Sequence, residues 1–327
     1  MWADYAVVMA RMQLRLRAWG WVTRRMASVA TMSEADVIAM QRRHIPSNVV
    51  TNWMFGGVAP GIAARDAAIP GPDGDIAVRV YTRRSAGPGR RPLIVYFHGG
   101  GYVFGELRMG DWLCGSVAAR VGAVVVSVAY RLAPVHRFPA AVEDSYAALT
   151  WAAANAAELG ADGPLAVMGE SAGGTLSAVT CLLARERGGP AISHQALIYP
   201  AVNMTSVKAG VEEPFLSTAE MAAYRRLYLG PEGDPAHPWA SPLLAPDHSG
   251  LPPALIQVAE HDPLRGDGVA YAAKLRAAGG SVRLTEYVGV PHGFLNFPGL
   301  CRGAEQALAE ICAEQSAALV PDSEPVP

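Results

Sequence analysis

A serine attacks a carbonyl carbon efficiently only when a base removes its proton, a carboxylate orients that base, and N–H donors meet the developing oxyanion. The sequence offers a candidate for each part. Ser171 stands at the centre of Gly169 to Gly174, reading GESAGG, so Gly169 and Gly173 flank it in a G-x-S-x-G pattern. Alone the pattern is weak, since a chain with this glycine and serine content contains it by chance in roughly one case in six. Context must decide. Downstream, His292 lies in VPHGF, where a proline and a glycine fix the backbone around the ring, and Asp262 follows an apolar run at Ala254 to Ala259. His261 adjoins Asp262, and Glu260 and Asp267 compete with Asp262 as the acid on proximity alone. The last stretch is His98-Gly99-Gly100-Gly101, expected by chance in on the order of one such sequence in a hundred. Glycines there let backbone N–H groups face a substrate oxygen, with His98 bracing the loop.

These residues need elements that bring them together. Pro164 to Met168 (PLAVM) is short, apolar and turn-bounded like a buried strand, and Ala172 to Arg187 reads as a packed helix. Ser171 therefore falls on a strand-to-helix turn, the context in which a strained serine lifts its hydroxyl clear of a sheet. Pro92 to Phe97 (PLIVYF) is a second buried strand and runs straight into the glycine loop. Further strands are expected at Asp75 to Arg83, Ala123 to Ala129, His194 to Tyr199, Ala254 to Ala259 and Val282 to Val288, with helices at Ala140 to Leu159, Gly266 to Ala278 and from Ala304 to about Leu319. This alternation predicts an α/β fold with a parallel sheet covered on both faces. Asp262, three residues past its strand, and His292 then emerge at carboxyl strand ends on the same edge as Ser171. Open α/β sheets place their sites on that edge, and the chain order serine, acid, histidine suits a serine on such a turn.

The flanks read differently. Tyr5, Met9, Met12, Leu16 and Trp19 form one apolar helical stripe, and a second helix is expected from Ser33 as N-cap, with Asp36 three residues on and Pro46 beyond its far end. Seven of the eleven methionines fall within the first 54 residues, an adaptable lining for an apolar ligand. Residues 1–58 are read as cap helices and 59–320 as the core. Residues 201–238, with their prolines and a short helix near Thr218 to Leu229, are read as a cap insertion, and 321–327 as a disordered tail.

Composition excludes several classes. A net charge of -2, from 27 basic and 29 acidic residues, leaves no electrostatic footprint for nucleic acid. Asp4, Arg11, Arg15 and Arg17 interrupt any apolar leader, and no window of 18 apolar residues could span a membrane, so a soluble cytoplasmic protein is expected. The four cysteines show no C-x-x-C spacing, and three lie in stretches read as helices, which predicts buried thiols. The chemistry assembled above needs no metal or cofactor.

HGGG ahead of GESAGG, the intervening Tyr130 to Trp151 (YRLAPVHRFPAAVEDSYAALTW), DPLRG from Asp262 and HGF from His292 together resemble the hormone-sensitive-lipase-like family of bacterial α/β-hydrolase esterases. The resemblance covers Pro92 to Phe297. It implies an α/β-hydrolase fold with a mixed, mostly parallel eight-stranded sheet and a helical cap. It also implies Ser171 as nucleophile, Asp262 as acid, His292 as base, and the N–H groups of Gly100, Gly101 and Ala172 as the oxyanion hole. The activity it implies is hydrolysis of short- to medium-chain acyl esters, small molecules, by a protein that related esterases suggest could be a homodimer. Amide hydrolysis or acyl transfer could run on the same residues, and a non-catalytic receptor on this fold would lack the base that His292 supplies. Glu170 departs from the aspartate common in the family, and Val135 and Arg137 replace its usual glutamate and proline.

Overall fold

The computed structural model describes residues 28–46, 48–85, 90–205 and 215–320, together with residues 15, 16 and 20. In chain order the elements are α1 (Glu34–Gln41), α2 (Val49–Phe55), β1 (Ile62–Gly71), β2 (Gly74–Arg83), β3 (Leu93–Phe97), α3 (Asp111–Val121), β4 (Val124–Ala129), α4 (Ala140–Ala154), α5 (Ala156–Leu159), β5 (Leu165–Glu170), α6 (Ala172–Glu186), β6 (Ile192–Ile198), α7 (Thr218–Leu229), β7 (Ala254–His261), α8 (Arg265–Ala277), β8 (Val282–Pro291) and α9 (Arg302–Leu319). The strands form one eight-stranded sheet in the order β1-β2-β4-β3-β5-β6-β7-β8. β1 and β2 make an antiparallel hairpin, β2 pairs antiparallel with β4, and every pairing from β4 to β8 is parallel. The mixed, mostly parallel sheet is the one the family resemblance implies.

Continuous apolar runs in the central strands follow from burial on both faces, because successive side chains point to opposite sides. Leu93, Val95 and Phe97 of β3 join a core with Leu149 of α4, Leu176 and Val179 of α6 and Tyr271 of α8. Their neighbours Ile94 and Tyr96 join a second core with Leu113 and Val117 of α3 and Leu308 and Ile311 of α9. The sheet thus divides two hydrophobic layers. All four cysteines are buried and unpaired.

Caps fix several helix starts. Ser33 and Asp36 form a reciprocal capping box at α1, as expected, and Ser217 with Glu220 does the same at α7. The helix expected over Ala140 to Leu159 is instead two helices, α4 and α5, meeting at Asn155, whose side-chain amide donates to the Trp151 carbonyl at 2.8 Å. β7 runs two residues beyond its expected end and β8 three. Asp262 and His292 consequently follow their strands directly rather than after a loop.

Above the carboxyl ends of the parallel strands, α7 packs on the 3-10 turn Val29–Thr31, and Ser28 Oγ donates to Glu220 Oε1 at 3.0 Å. Tyr228 of α7 stacks on Tyr102 with ring centroids 3.7 Å apart. Of the apolar stripe expected near the N-terminus, Leu16 is described and fully buried. Tyr5, Met9, Met12 and Trp19 lie outside the described residues, as do 206–214 of the insertion and the tail 321–327. Among the described residues no helix is long and apolar enough to cross a membrane.

Candidate active site

Ser171 is the single residue between β5 and α6, and its backbone lies at φ 53, ψ −117. For a residue with a side chain that conformation costs about 1–3 kcal/mol and persists only where its surroundings impose it. They do so here. Its N–H donates to the Ile198 carbonyl at 2.9 Å, and its own carbonyl accepts from Thr175 N at 3.1 Å and Ala201 N at 3.2 Å. The flanking glycines answer a steric demand: a Cβ on Gly169 would overlap the Gly173 carbonyl, and one on Gly173 would overlap the Phe97 carbonyl. Strand, turn and helix are packed backbone against backbone.

The register of the last two strands sets the other side chains. His261 of β7 pairs with Pro291 of β8, so the residues that follow, Asp262 and His292, leave the sheet side by side. His292 Nδ1 lies 2.7 Å from Asp262 Oδ2, and His292 Nε2 lies 2.9 Å from Ser171 Oγ. Asp262 Oδ1 accepts from Leu264 N at 2.8 Å, which fixes the carboxylate at the start of α8. The Asp262 side chain is 1% exposed and that of His292 is 10% exposed, so the acid is sealed while the imidazole borders the cavity. Glu260 is turned elsewhere, accepting from Gly289 N at 2.7 Å, and Asp267 sits in the first turn of α8. Of the three candidate acids, Asp262 is the one that meets the imidazole.

The glycine loop follows β3 as expected. Gly100 and Gly101 adopt φ 111 and 64, a left-handed region in which a side chain is strained, and a Cβ on Gly100 would overlap the Phe104 carbonyl. Among the described residues no backbone acceptor takes the N–H of Gly100 or Gly101, and Ala172, at the first position of α6, has no intrahelical acceptor for its own. All three residues line the cavity beside Ser171. His98 holds the loop from below: Nδ1 bonds the Gly99 carbonyl at 2.8 Å, its ring stacks on Tyr130 at 4.3 Å, and Tyr130 Oη donates to the His98 carbonyl at 2.7 Å. Burial pushes the His98 pKa down to about 4, with the Gly99 carbonyl opposing, so this ring is neutral.

Three residues that motif reading left without a role, Glu170, Tyr96 and Tyr199, stand behind the serine. Glu170, 1% exposed, accepts from Tyr96 Oη at 2.7 Å and Tyr199 Oη at 2.6 Å. Burial first, then the adjacent Glu170 charge, raises both tyrosines well above the ordinary range, so their hydroxyls stay protonated and donate. The Tyr199 ring meets His292 edge-on at 4.9 Å. The available signal was an aromatic residue closing an apolar strand, which carries no motif.

The cavity holds about 340 Å³, and Met204, Phe215, Leu216, Met221 and Tyr224 provide its apolar wall opposite the strand ends. Among the described residues no group of three His, Cys, Asp or Glu is placed to hold a metal ion.

The family model for the alpha/beta hydrolase fold matches residues 94–296. Esterase LipI of Mycobacterium tuberculosis is 41% identical over 258 residues, covering 76% of this chain and 80% of the relative. Carboxylic ester hydrolase LipN of the same organism is 45% identical over 257 residues, covering 75% of this chain and 68% of the relative. An esterase structure from the archaeon Pyrobaculum calidifontis superposes with a TM-score of 0.84 at 39% identity, covering 94% of this chain and 98% of that one. The chain belongs to the α/β-hydrolase fold family, in its hormone-sensitive-lipase-like branch. Within that class it is a carboxylic ester hydrolase.

Proposed function

We propose that the protein is a serine carboxylesterase that hydrolyses short- to medium-chain acyl esters through an acyl-enzyme on Ser171. The observation that carries the reading is the continuous relay Asp262 to His292 to Ser171, at 2.7 and 2.9 Å. His292 Nε2 takes the Ser171 proton as Oγ bonds to the ester carbonyl carbon, while Asp262 keeps the other ring proton on Nδ1 and stabilises the imidazolium that forms. The tetrahedral oxyanion receives the N–H groups of Gly100, Gly101 and Ala172. Collapse breaks the bond to the alcohol oxygen, which leaves with the proton from His292. Water then attacks the acyl-enzyme with the same histidine as base, and Ser171 regains its proton as the acid departs.

Chain-length preference follows from volume. A cavity of about 340 Å³ lies at the small end of the roughly 300–1,000 Å³ usual for ligand pockets. Residues 1–58 and the insertion 201–238 form the cap over a core spanning 59–320. The packing of α7 on Val29–Thr31 supports this division.

The test is initial-rate hydrolysis of 4-nitrophenyl esters from acetate to palmitate by wild type, Ser171→Ala and His292→Ala. Rates peaking at short or medium chains and abolished in both variants are expected. Undiminished turnover in either folded variant would overturn the assignment.

A further inference from the structure

The walls of the cavity are unequal in charge. Among the described lining residues, Arg225 of α7 is the one permanently charged side chain and there is no aspartate or glutamate. It is part-buried, and its one described hydrogen bond runs from Nη1 to the Met204 carbonyl at 3.2 Å. The same helix brings the preceding Tyr224 against the glycine loop, where a Cβ on Gly101 would meet the Tyr224 ring. α7 therefore holds a cation in the same chamber as the oxyanion loop. Two amides share that chamber. Asn296 lines the wall, and so does Asn203, whose Oδ1 is taken by Thr205 N and Thr205 Oγ1 at 3.1 and 2.7 Å, with no described partner on its amide nitrogen.

A part-buried guanidinium with one neutral acceptor, in a mainly apolar wall, has lost hydration without gaining a counter-charge from any described residue. Its planar fork of donors fits a carboxylate at two points, which an ammonium could not match. We propose that Arg225 receives a carboxylate carried by the substrate, so that this cavity selects esters bearing a free anionic group over neutral esters of equal length. The inference rests on the esterase reading above and adds a substrate class to it.

Two pairs of esters test it and locate the anion. For the acyl side, the 4-nitrophenyl monoester of adipic acid is compared with 4-nitrophenyl hexanoate. For the alcohol side, the butyrate ester of 4-hydroxybenzoate is compared with phenyl butyrate by pH-stat, each corrected for uncatalysed hydrolysis. The quantity read is the anionic-to-neutral ratio of kcat/KM within each enzyme. In at least one pair Arg225→Gln should lower that ratio about tenfold or more, the scale of one hydrogen-bonded charge pair, and Arg225→Lys should recover part of it. In wild type, raising the salt concentration should lower the same ratio, a check that needs no variant to fold. Ratios unmoved by Arg225→Gln and by salt in both pairs overturn the inference while the neutral esters still report the esterase. Failure of wild type on all four esters would strike the esterase reading instead.

Discussion

Below the cavity, Ser171, Asp262 and His292 stand on the ends of β5, β7 and β8, held by backbone hydrogen bonds and by contacts so close that Gly169 and Gly173 admit no Cβ. Above it, Met204, Phe215, Met221 and Tyr224 stand on α7 and the chain leading to it, where ring packing includes the Tyr102–Tyr228 stack and the Phe104–Tyr224 edge contact. The floor is set by backbone geometry, which has one solution. The roof is set by side-chain volume, which has many. Changes below should therefore remove the reaction or the fold, and changes above should alter which ester reacts.

The largest expected effect tests the floor directly: Ser171→Ala should lower kcat by about 10⁶-fold with the thermal transition retained. A loss under a hundredfold would break the contrast. Gly173→Ala comes next, because its Cβ would overlap the Phe97 carbonyl. It should cost about 3 kcal/mol or more in a urea titration, and an unaltered midpoint would show that the strand and helix can separate.

Acid should weaken the sheet before it reaches the roof. His98 at the end of β3 and His194 in β6 are both held neutral by burial, with pKa values of about 4 against an ordinary 6.5. Above pH 6.5 folded and unfolded chains are alike neutral at these rings, and the stabilising contribution is complete. As the pH falls from 6.5 toward 4 the unfolded chain binds protons that the folded chain refuses, and stability drops by a few kcal/mol. Urea midpoints measured between pH 7 and 4.5 should show this slope, and His194→Gln should flatten it. An identical slope in that variant would remove His194 from the account.

Tyr199→Phe deletes one of the two hydroxyls on the buried Glu170 carboxylate while keeping the ring against His292. It should cost about 1–3 kcal/mol of stability and less than tenfold in kcat, by thermal melt and initial rates. A loss of activity rivalling Ser171→Ala would give that hydroxyl a direct part in the chemistry. Smallest is a change in the roof. Met221→Ala should move the best acyl length upward, changing kcat/KM for any one ester by about tenfold at most across the chain-length series. Collapse of activity on every ester would mean that the roof also positions the reacting groups.

What could be read from the sequence divides along the same line. The glycine patterns were legible because backbone crowding leaves no alternative residue type, and the strand alternation was legible because burial on both faces forces apolar runs. Ser171, Asp262 and His292 came from motif and chain order, and the structure brings their side chains within hydrogen-bond range. The ends of β7 and β8 were misjudged because His261 and Pro291 look like loop residues. Pairing His261 with Pro291 extends both strands, and a proline can end a strand where its missing N–H is not required. β1 escaped because it is an edge strand, half of its residues exposed, and carries Pro70. The Glu170, Tyr96 and Tyr199 cluster was invisible because its partners are 29 and 74 residues away in sequence and follow no spacing rule.

The segment from α1 to α2 is tied to the residues immediately after the glycine loop. Gln41 Nε2 donates to the Val103 and Ala133 carbonyls, each at 2.7 Å, and Glu106 accepts from Ile45 N at 2.9 Å. Arg108 reaches back to the Ile45 carbonyl at 2.5 Å and to Asn52 Oδ1 at 2.6 Å. These ties deny the segment a hinge of its own, because any outward swing would pull on residues 103–108 and through them on Gly100 and Gly101. Under the proposed function, in which this segment belongs to the cap and Gly100 and Gly101 receive the oxyanion, cover and anion receiver are one connected part, so displacing the first would also disarm the second.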